Sequence, residues 1–345
     1  MSRAAASVAA CAPVVAAPRR ATRTVLAILV AAACCAGALA QPADGPADSR
    51  ADGPIAAGSE RFLGNVLTAS LDQTFPLYWN QVTPENAGKW LSVEAQRGVY
   101  TWGVMDTIMT IARMHGIPVK QHTFVWGQQE PRWVAGLPAD EQRAAVEAWI
   151  AAFGERYPDV AMVDVVNEPL HAPPSYAEAI GGDGETGWDW VVWSFERARE
   201  ALPEATLLIN EYNILCCAAN RARYAEIVRI LQARDLIDGI GVQAHGLERA
   251  DPRMIRANLD ALAELGLPIY VSELELETSD DAQQLAMYQR LFPVLWEHEA
   301  VAGVTLWGYK AGQIWKPNAY LLDWFDEERP ALTWLREYVR GDGDD

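Results

Sequence analysis

Val165-Val166-Asn167-Glu168 and Tyr270-Val271-Ser272-Glu273 each run an apolar, β-branched stretch straight into a glutamate. Strands of a parallel sheet, buried on both faces, read as such near-continuous apolar runs. A charged side chain inside one would face either the packed interior or the helices, and both are costly. A glutamate at the carboxyl end of the strand avoids that cost. Two strands of this kind point to a parallel sheet closed into a barrel, with both carboxylates at its C-terminal rim.

The rest of the chain supplies strands for such a barrel. Short β-branched runs alternate with longer stretches of helical period from Phe62 onward, the pattern of βα units. Eight strands are expected, near 62–68, 79–83, 118–124, 162–167, 206–210, 239–243, 268–272 and 303–307. Amphipathic segments lie between them, including 139–156, 218–233, 252–265 and 280–296. The expected fold is therefore α/β, a (β/α)8 TIM barrel in a single domain. An open doubly wound sheet would show a glycine-rich phosphate turn directly after its first strand. Gly182-x-Gly184-x-x-Gly187 has that spacing, but it lies in a polar loop with no strand before it, so it is a coincidence of spacing.

The chain divides into four parts. Residues 1–40 carry Arg3, Arg19, Arg20 and Arg23, no acid, an apolar run from Val25 and Ala38-Leu39-Ala40, the order of an export signal peptide. The apolar part is short and alanine-rich for a membrane span. Residues 41–57 form an expected flexible leader, 58–340 the (β/α)8 domain and 341–345 an acidic tail. Cleavage after residue 40 leaves 24 basic against 46 acidic residues, a net charge of −22. So acidic a chain does not hold nucleic acid by its field, whereas a neutral ligand is indifferent to it. The expected product is an exported, secreted or periplasmic monomer without stable membrane insertion. Three of five cysteines fall in the export segment, and Cys216-Cys217 alone can build neither a disulfide scaffold nor a four-ligand zinc site.

Further polar and aromatic residues fall near strand ends. His122, Gln243 and His245 do so, but no helical His-Glu-x-x-His occurs, so no metal and no cofactor are expected. Fourteen tryptophans are many for 345 residues. Trp126, Trp307 and Trp315 stand beyond strand ends, where flat rings can pack on the C–H faces of sugars, while Trp149, Trp296 and Trp334 belong to helical stretches and the core. Two facing carboxyls at a rim are the minimum equipment of a glycosidase.

With these residues in hand, the chain resembles the retaining endo-β-1,4-xylanases of glycoside hydrolase family ten over nearly the whole domain. Seven segments in order carry the resemblance: Val82-Thr83-Pro84-Glu85-Asn86 with Lys89-Trp90, His122-Thr123-Phe124-Val125-Trp126, Asp164-Val165-Val166-Asn167-Glu168, Asn210-Glu211-Tyr212-Asn213, Gly239 to His245, Ser272-Glu273-Leu274-Glu275 and Val304-Thr305-Leu306-Trp307-Gly308. It implies Glu168 as acid/base, Glu273 as nucleophile and Asn167 on the 2-hydroxyl of the sugar at the cleaved bond. By the same resemblance Gln243 and His245 support the nucleophile, while Glu85, Asn86, Lys89, His122, Trp126 and Gln129 hold sugars on the non-reducing side. Trp307 and Trp315 would form an aromatic roof, and Tyr212 would line the cleft. The implied substrate is xylan or a xylooligosaccharide. A β-1,4-glucan hydrolase of the same fold and a sugar-binding protein without catalysis are the alternatives. Gly127-Gln128, Ala87-Gly88 and Tyr309-Lys310-Ala311-Gly312-Gln313 depart from the family pattern, all beside the expected non-reducing side.

Overall fold

A computed structural model describes residues 53–341. The expected signal peptide, most of the expected leader and all but the first residue of the expected acidic tail lie outside the described residues. The strands are β1 (Phe62–Leu67), β2 (Val82–Pro84), β3 (Lys120–Val125), β4 (Met162–Asn167), β5 (Thr206–Glu211), β6 (Gly239–Val242), β7 (Ile269–Leu274) and β8 (Val301–Leu306). They pair in parallel in the order β2-β1-β8-β7-β6-β5-β4-β3. A single bridge, Val82 to Val119, and the Val82 N–H donating to the Pro118 carbonyl at 3.1 Å close the ring between β2 and β3. The fold is a (β/α)8 barrel.

The helices are α1 (Trp90–Val93), α2 (Gly103–His115), α3 (Ala139–Arg156), α4 (Asp189–Ala201), α5 (Ala218–Gln232), α6 (Pro252–Ala263), α7 (Asp281–Trp296) and α8 (Pro330–Arg340). They are not distributed one to a strand. Only a short 3-10 turn, Phe75–Leu77, lies between β1 and β2, and α1 and α2 both follow β2. Ile55 and Ala56, expected in the flexible leader, are buried, because the Ile55 N–H donates to the Tyr78 carbonyl and draws the segment onto that turn.

The segment at 182–187 is a loop before α4, where Gly182, Gly184 and Gly187 all have positive φ. The Asp189 carboxylate accepts from the N–H groups of Glu185 and Thr186, and a Cβ on Gly184 would lie 1.8 Å from it. A carboxylate fills the turn that a phosphate would need.

Aliphatic and aromatic side chains fill the space between sheet and helices. Trp149 of α3 is fully buried, stacked near-parallel on Trp90 and Trp102 at 6.2 and 5.9 Å, with Phe124 and Phe153 edge-on. Its indole N–H donates to the Phe124 carbonyl in β3 at 3.1 Å, tying helix to strand. Trp296 is buried and Trp334 half-buried against Phe292. Inside the barrel the packing is partly polar: Lys120 and Asp164, both buried, pair at 3.0 Å, and Thr305 donates to Gln81 at 2.8 Å. Trp149→Ala is expected to destabilise the fold by about 3–5 kcal/mol, the range for deleting a buried aromatic, and chemical denaturation measures it.

Candidate active site

The barrel brings all fourteen residues singled out above to one cleft of about 530 Å³, lined by them and by Gln128. Glu168 follows the last residue of β4 and takes a left-handed backbone, φ 54°, while its N–H donates to the Asn210 carbonyl of β5 at 2.8 Å. That turn lifts the side chain out of the strand's alternation. Its Oε2 accepts from the Trp126 indole N–H at 2.9 Å and its Oε1 from Gln243 Nε2 at 3.1 Å.

Glu273 is not past its strand, as expected, but the fifth of six residues in β7. It is 4 % exposed. Its Oε1 accepts from Asn210 Nδ2 at 2.6 Å, and its Oε2 lies 3.0 Å from His245 Nε2. Asn210 Nδ2 also donates to Asn167 Oδ1 at 3.0 Å, and Gln243 Nε2 donates to the same oxygen at 3.1 Å. An unbroken run of side-chain hydrogen bonds therefore joins Glu273 to Glu168 through Asn210, Asn167 and Gln243. Burial pushes the Glu273 carboxyl up, but His122, the hydrogen bond from His245 and the Lys120 charge outweigh it and hold it at about 2. At neutral pH Glu273 is a desolvated carboxylate, the form a nucleophile needs.

His245 sits between two carboxylates, with Nδ1 2.5 Å from Glu275 Oε2. Burial disfavours its charge, yet the hydrogen bonds to Glu273 and Glu275 raise it to about 9. His122 also differs from expectation. It is the third residue of β3, beneath the rim, with Nδ1 2.9 Å from Asp164 and the ring edge-on to Trp307 at 5.2 Å. Both histidines are engaged with carboxylates, and among the described residues no group of three or more His, Cys, Asp or Glu is disposed to hold a metal. Cys216 and Cys217 are free thiols at the start of α5.

One side of the cleft is a polar shelf. Lys89 Nζ donates to Asn86 at 3.1 Å and Gln129 at 2.8 Å and lies 5.0 Å over the Trp126 ring. Burial lowers its affinity for a proton, partly offset by Glu273, Glu85 and Glu168, while burial raises the Glu85 carboxyl despite Lys89. Trp307 is nearly buried and Trp315 is 54 % exposed, its ring 5.2 Å from His245. On the other side Tyr212 stacks on His171 at 4.2 Å, and His171 and the Tyr212 N–H both bond to the buried Glu211.

Sequence reasoning missed Asn210, Asp164, Lys120 and Glu275 as members of this site. Glu275 had a legible signal, since it lies two residues from Glu273 and so faces the same side of the strand. Its Oε1 lies 2.5 Å from Lys316 Nζ, and its Oε2 3.4 Å from the Trp315 indole N–H.

The His245–Glu273 pair fixes a pH dependence of stability. His245 is raised from 6.5 to about 9, so its contribution is complete below about pH 6.5 and is lost as pH rises through 9. Glu273 is lowered from 4.5 to about 2, so its contribution is present above 4.5 and lost as pH falls towards 2. Thermal melts should show the wild type losing stability between pH 6.5 and 9, and His245→Gln following a flatter course there.

The model of the family described as "Glycosyl hydrolase family 10" matches residues 51–338. Endo-1,4-beta-xylanase B of Cellvibrio japonicus is 39% identical over 282 residues, covering 80% of this chain and 45% of that protein, so the chain spans less than half the length of this relative. The endo-1,4-beta-xylanase of Agaricus bisporus is 31% identical over 266 residues, covering 74% of this chain and 78% of that one. The solved structure of a GH10 protein from Paenibacillus barcinonensis superposes with a TM-score of 0.75 at 26% identity, covering 83% of this chain and 98% of that chain. The chain belongs to glycosyl hydrolase family 10.

Proposed function

We propose that this protein is an endo-1,4-β-xylanase that cleaves internal linkages of xylan or xylooligosaccharides with retention of configuration. The observation that carries the reading is the pair of carboxylates on one cleft, Glu273 held ionised and Glu168 held by Trp126 and Gln243, in a chain whose family relatives are named xylanases. In this reading Glu273 attacks the anomeric carbon while Glu168 gives its proton to the departing oxygen. The resulting glycosyl-enzyme is hydrolysed by a water that Glu168, now a base, deprotonates.

The surrounding residues fit these two steps. Asn210 and His245 hold the carboxylate oxygens of Glu273, so the nucleophile needs no reorientation before attack. Asn167 stands between the two glutamates in the hydrogen-bond run, suited to a hydroxyl of the sugar at the cleaved bond. Lys89, Asn86, Gln129 and Glu85 offer donors and acceptors to sugars on the non-reducing side, and Trp126, Trp307 and Trp315 offer flat faces to their C–H groups. The same proposal includes export by the arginine-then-apolar start of the chain and action as a monomer.

NMR during hydrolysis of xylooligosaccharides should show the β-anomer of the product first, and α-anomer first would end the retaining reading. Xylan turnover should exceed that of carboxymethyl-cellulose, and the reverse order would favour a glucanase. Glu168→Ala and Glu273→Ala are each expected to lower kcat on xylan by several orders of magnitude. With an activated aryl xylobioside, azide should rescue Glu168→Ala to give a β-glycosyl azide and Glu273→Ala to give the α-anomer.

A further inference from the structure

Past Glu85, Asn86 and Trp315 the cleft adjoins a second chamber of about 760 Å³, walled on one side by Gly312, Gln313 and Ile314 of the loop after β8. Ser70 bonds across this chamber's rim to Gln313 at 2.5 Å, fastening the loop after β1 to the loop after β8. Gly312 has φ 75°, and the ring of Trp324 lies where its Cβ would be: such a Cβ would stand 2.1 Å from that ring. The chamber wall thus carries Trp324 in direct contact.

Trp324 and Phe325 are 74 % and 85 % exposed. The hairpin that presents them is closed rather than slack. Asp323 Oδ1 accepts from the N–H groups of Phe325 and Glu327 at 2.7 and 2.9 Å, Leu322 bridges to Glu328, and Lys310 pairs with Asp326 at 2.6 Å. Two adjacent aromatic side chains held open to water on an ordered hairpin mark an interaction surface. The acids flanking them oppose nucleic acid, anionic lipid and acidic protein surfaces, but not a neutral chain of sugars, whose C–H faces suit flat rings.

We propose that Trp324 and Phe325 form a second carbohydrate platform that grips the main chain of the polysaccharide beyond the chamber, outside the cleft that performs cleavage. The platform extends the xylanase reading and rests on it. Its contribution is to hold polymer, so it leaves short substrates untouched.

The test compares wild type with Trp324→Ala/Phe325→Ala and with Trp324→Tyr. Turnover of an aryl xylobioside should stay within about twofold in both variants. In the double variant, kcat/KM on long soluble xylan should fall about fivefold or more through KM. Retention on insoluble xylan, measured by depletion in a Glu168→Gln background, should weaken by a similar factor, and Trp324→Tyr should keep most of both. Unchanged polymer kinetics and retention would overturn the platform, as would an equal loss on the aryl xylobioside. Sedimentation showing a wild-type dimer abolished by the double substitution would assign the surface to a second copy instead. Because retention is read without turnover, inactivity of the wild type on aryl xylobioside would count against the xylanase reading and leave the platform decided by binding.

Discussion

A single buried negative charge organises this site. Removing the Glu273 carboxylate from water is unfavourable, and an isolated carboxylate in its position would neutralise itself by taking up a proton. It stays ionised because one oxygen receives Asn210, the other meets His245, and the His122 ring and the Lys120 charge lie nearby. Each partner is itself pinned. Asn210 receives Ser272, His245 meets Glu275, and both Lys120 and His122 meet Asp164. The conditions that keep the charge also fix its direction, so stability and reactivity draw on the same contacts.

The barrel makes this arrangement possible by supplying the partners from different strands, some at the C-terminal rim and some beneath it. Asn210 comes from the end of β5, His245 from just beyond β6, Lys120 and His122 from β3 and Asp164 from β4. Parallel strands set their C-terminal ends together, and every one of these side chains is oriented by backbone that the outer helices hold in register. The polar interior has a structural consequence too. A barrel that contains a Lys–Asp pair relies on its aromatic layer outside the sheet, including Trp149 with Trp90 and Trp102, for much of its apolar burial.

Much of this was legible in the chain. Met162–Asn167 and Ala139–Arg156 match the expected elements residue for residue, because their apolar runs are long and bounded by clear helix or turn signals. Strand ends were less legible. β2 begins at Val82 rather than near Trp79, since Trp79 is spent on the core beneath the sheet, and β7 runs on through Glu273 because a partner in β8 continues the ladder. The missing helix between β1 and β2 had no local signal. Eight residues of the cleft were found as types at strand ends and the other six, Glu85, Asn86, Lys89, Gln129, Asn167 and Tyr212, through the family resemblance, whereas Asn210, Asp164 and Lys120 were not, because a polar residue inside a barrel is indistinguishable by pattern from one facing the helices. Only their partners on neighbouring strands reveal which way they point.

Glu275 joins two parts of the cleft that are otherwise separate. One of its oxygens meets His245, which supports Glu273, and the Trp315 indole, while the other meets Lys316. The exposed Trp315 ring and the His245 imidazole that holds Glu273 therefore share one anion. Thermodynamic reciprocity follows: any ligand that shifts Trp315 or Lys316 changes how tightly His245 holds its proton, and acidity changes in turn how tightly that ligand is held.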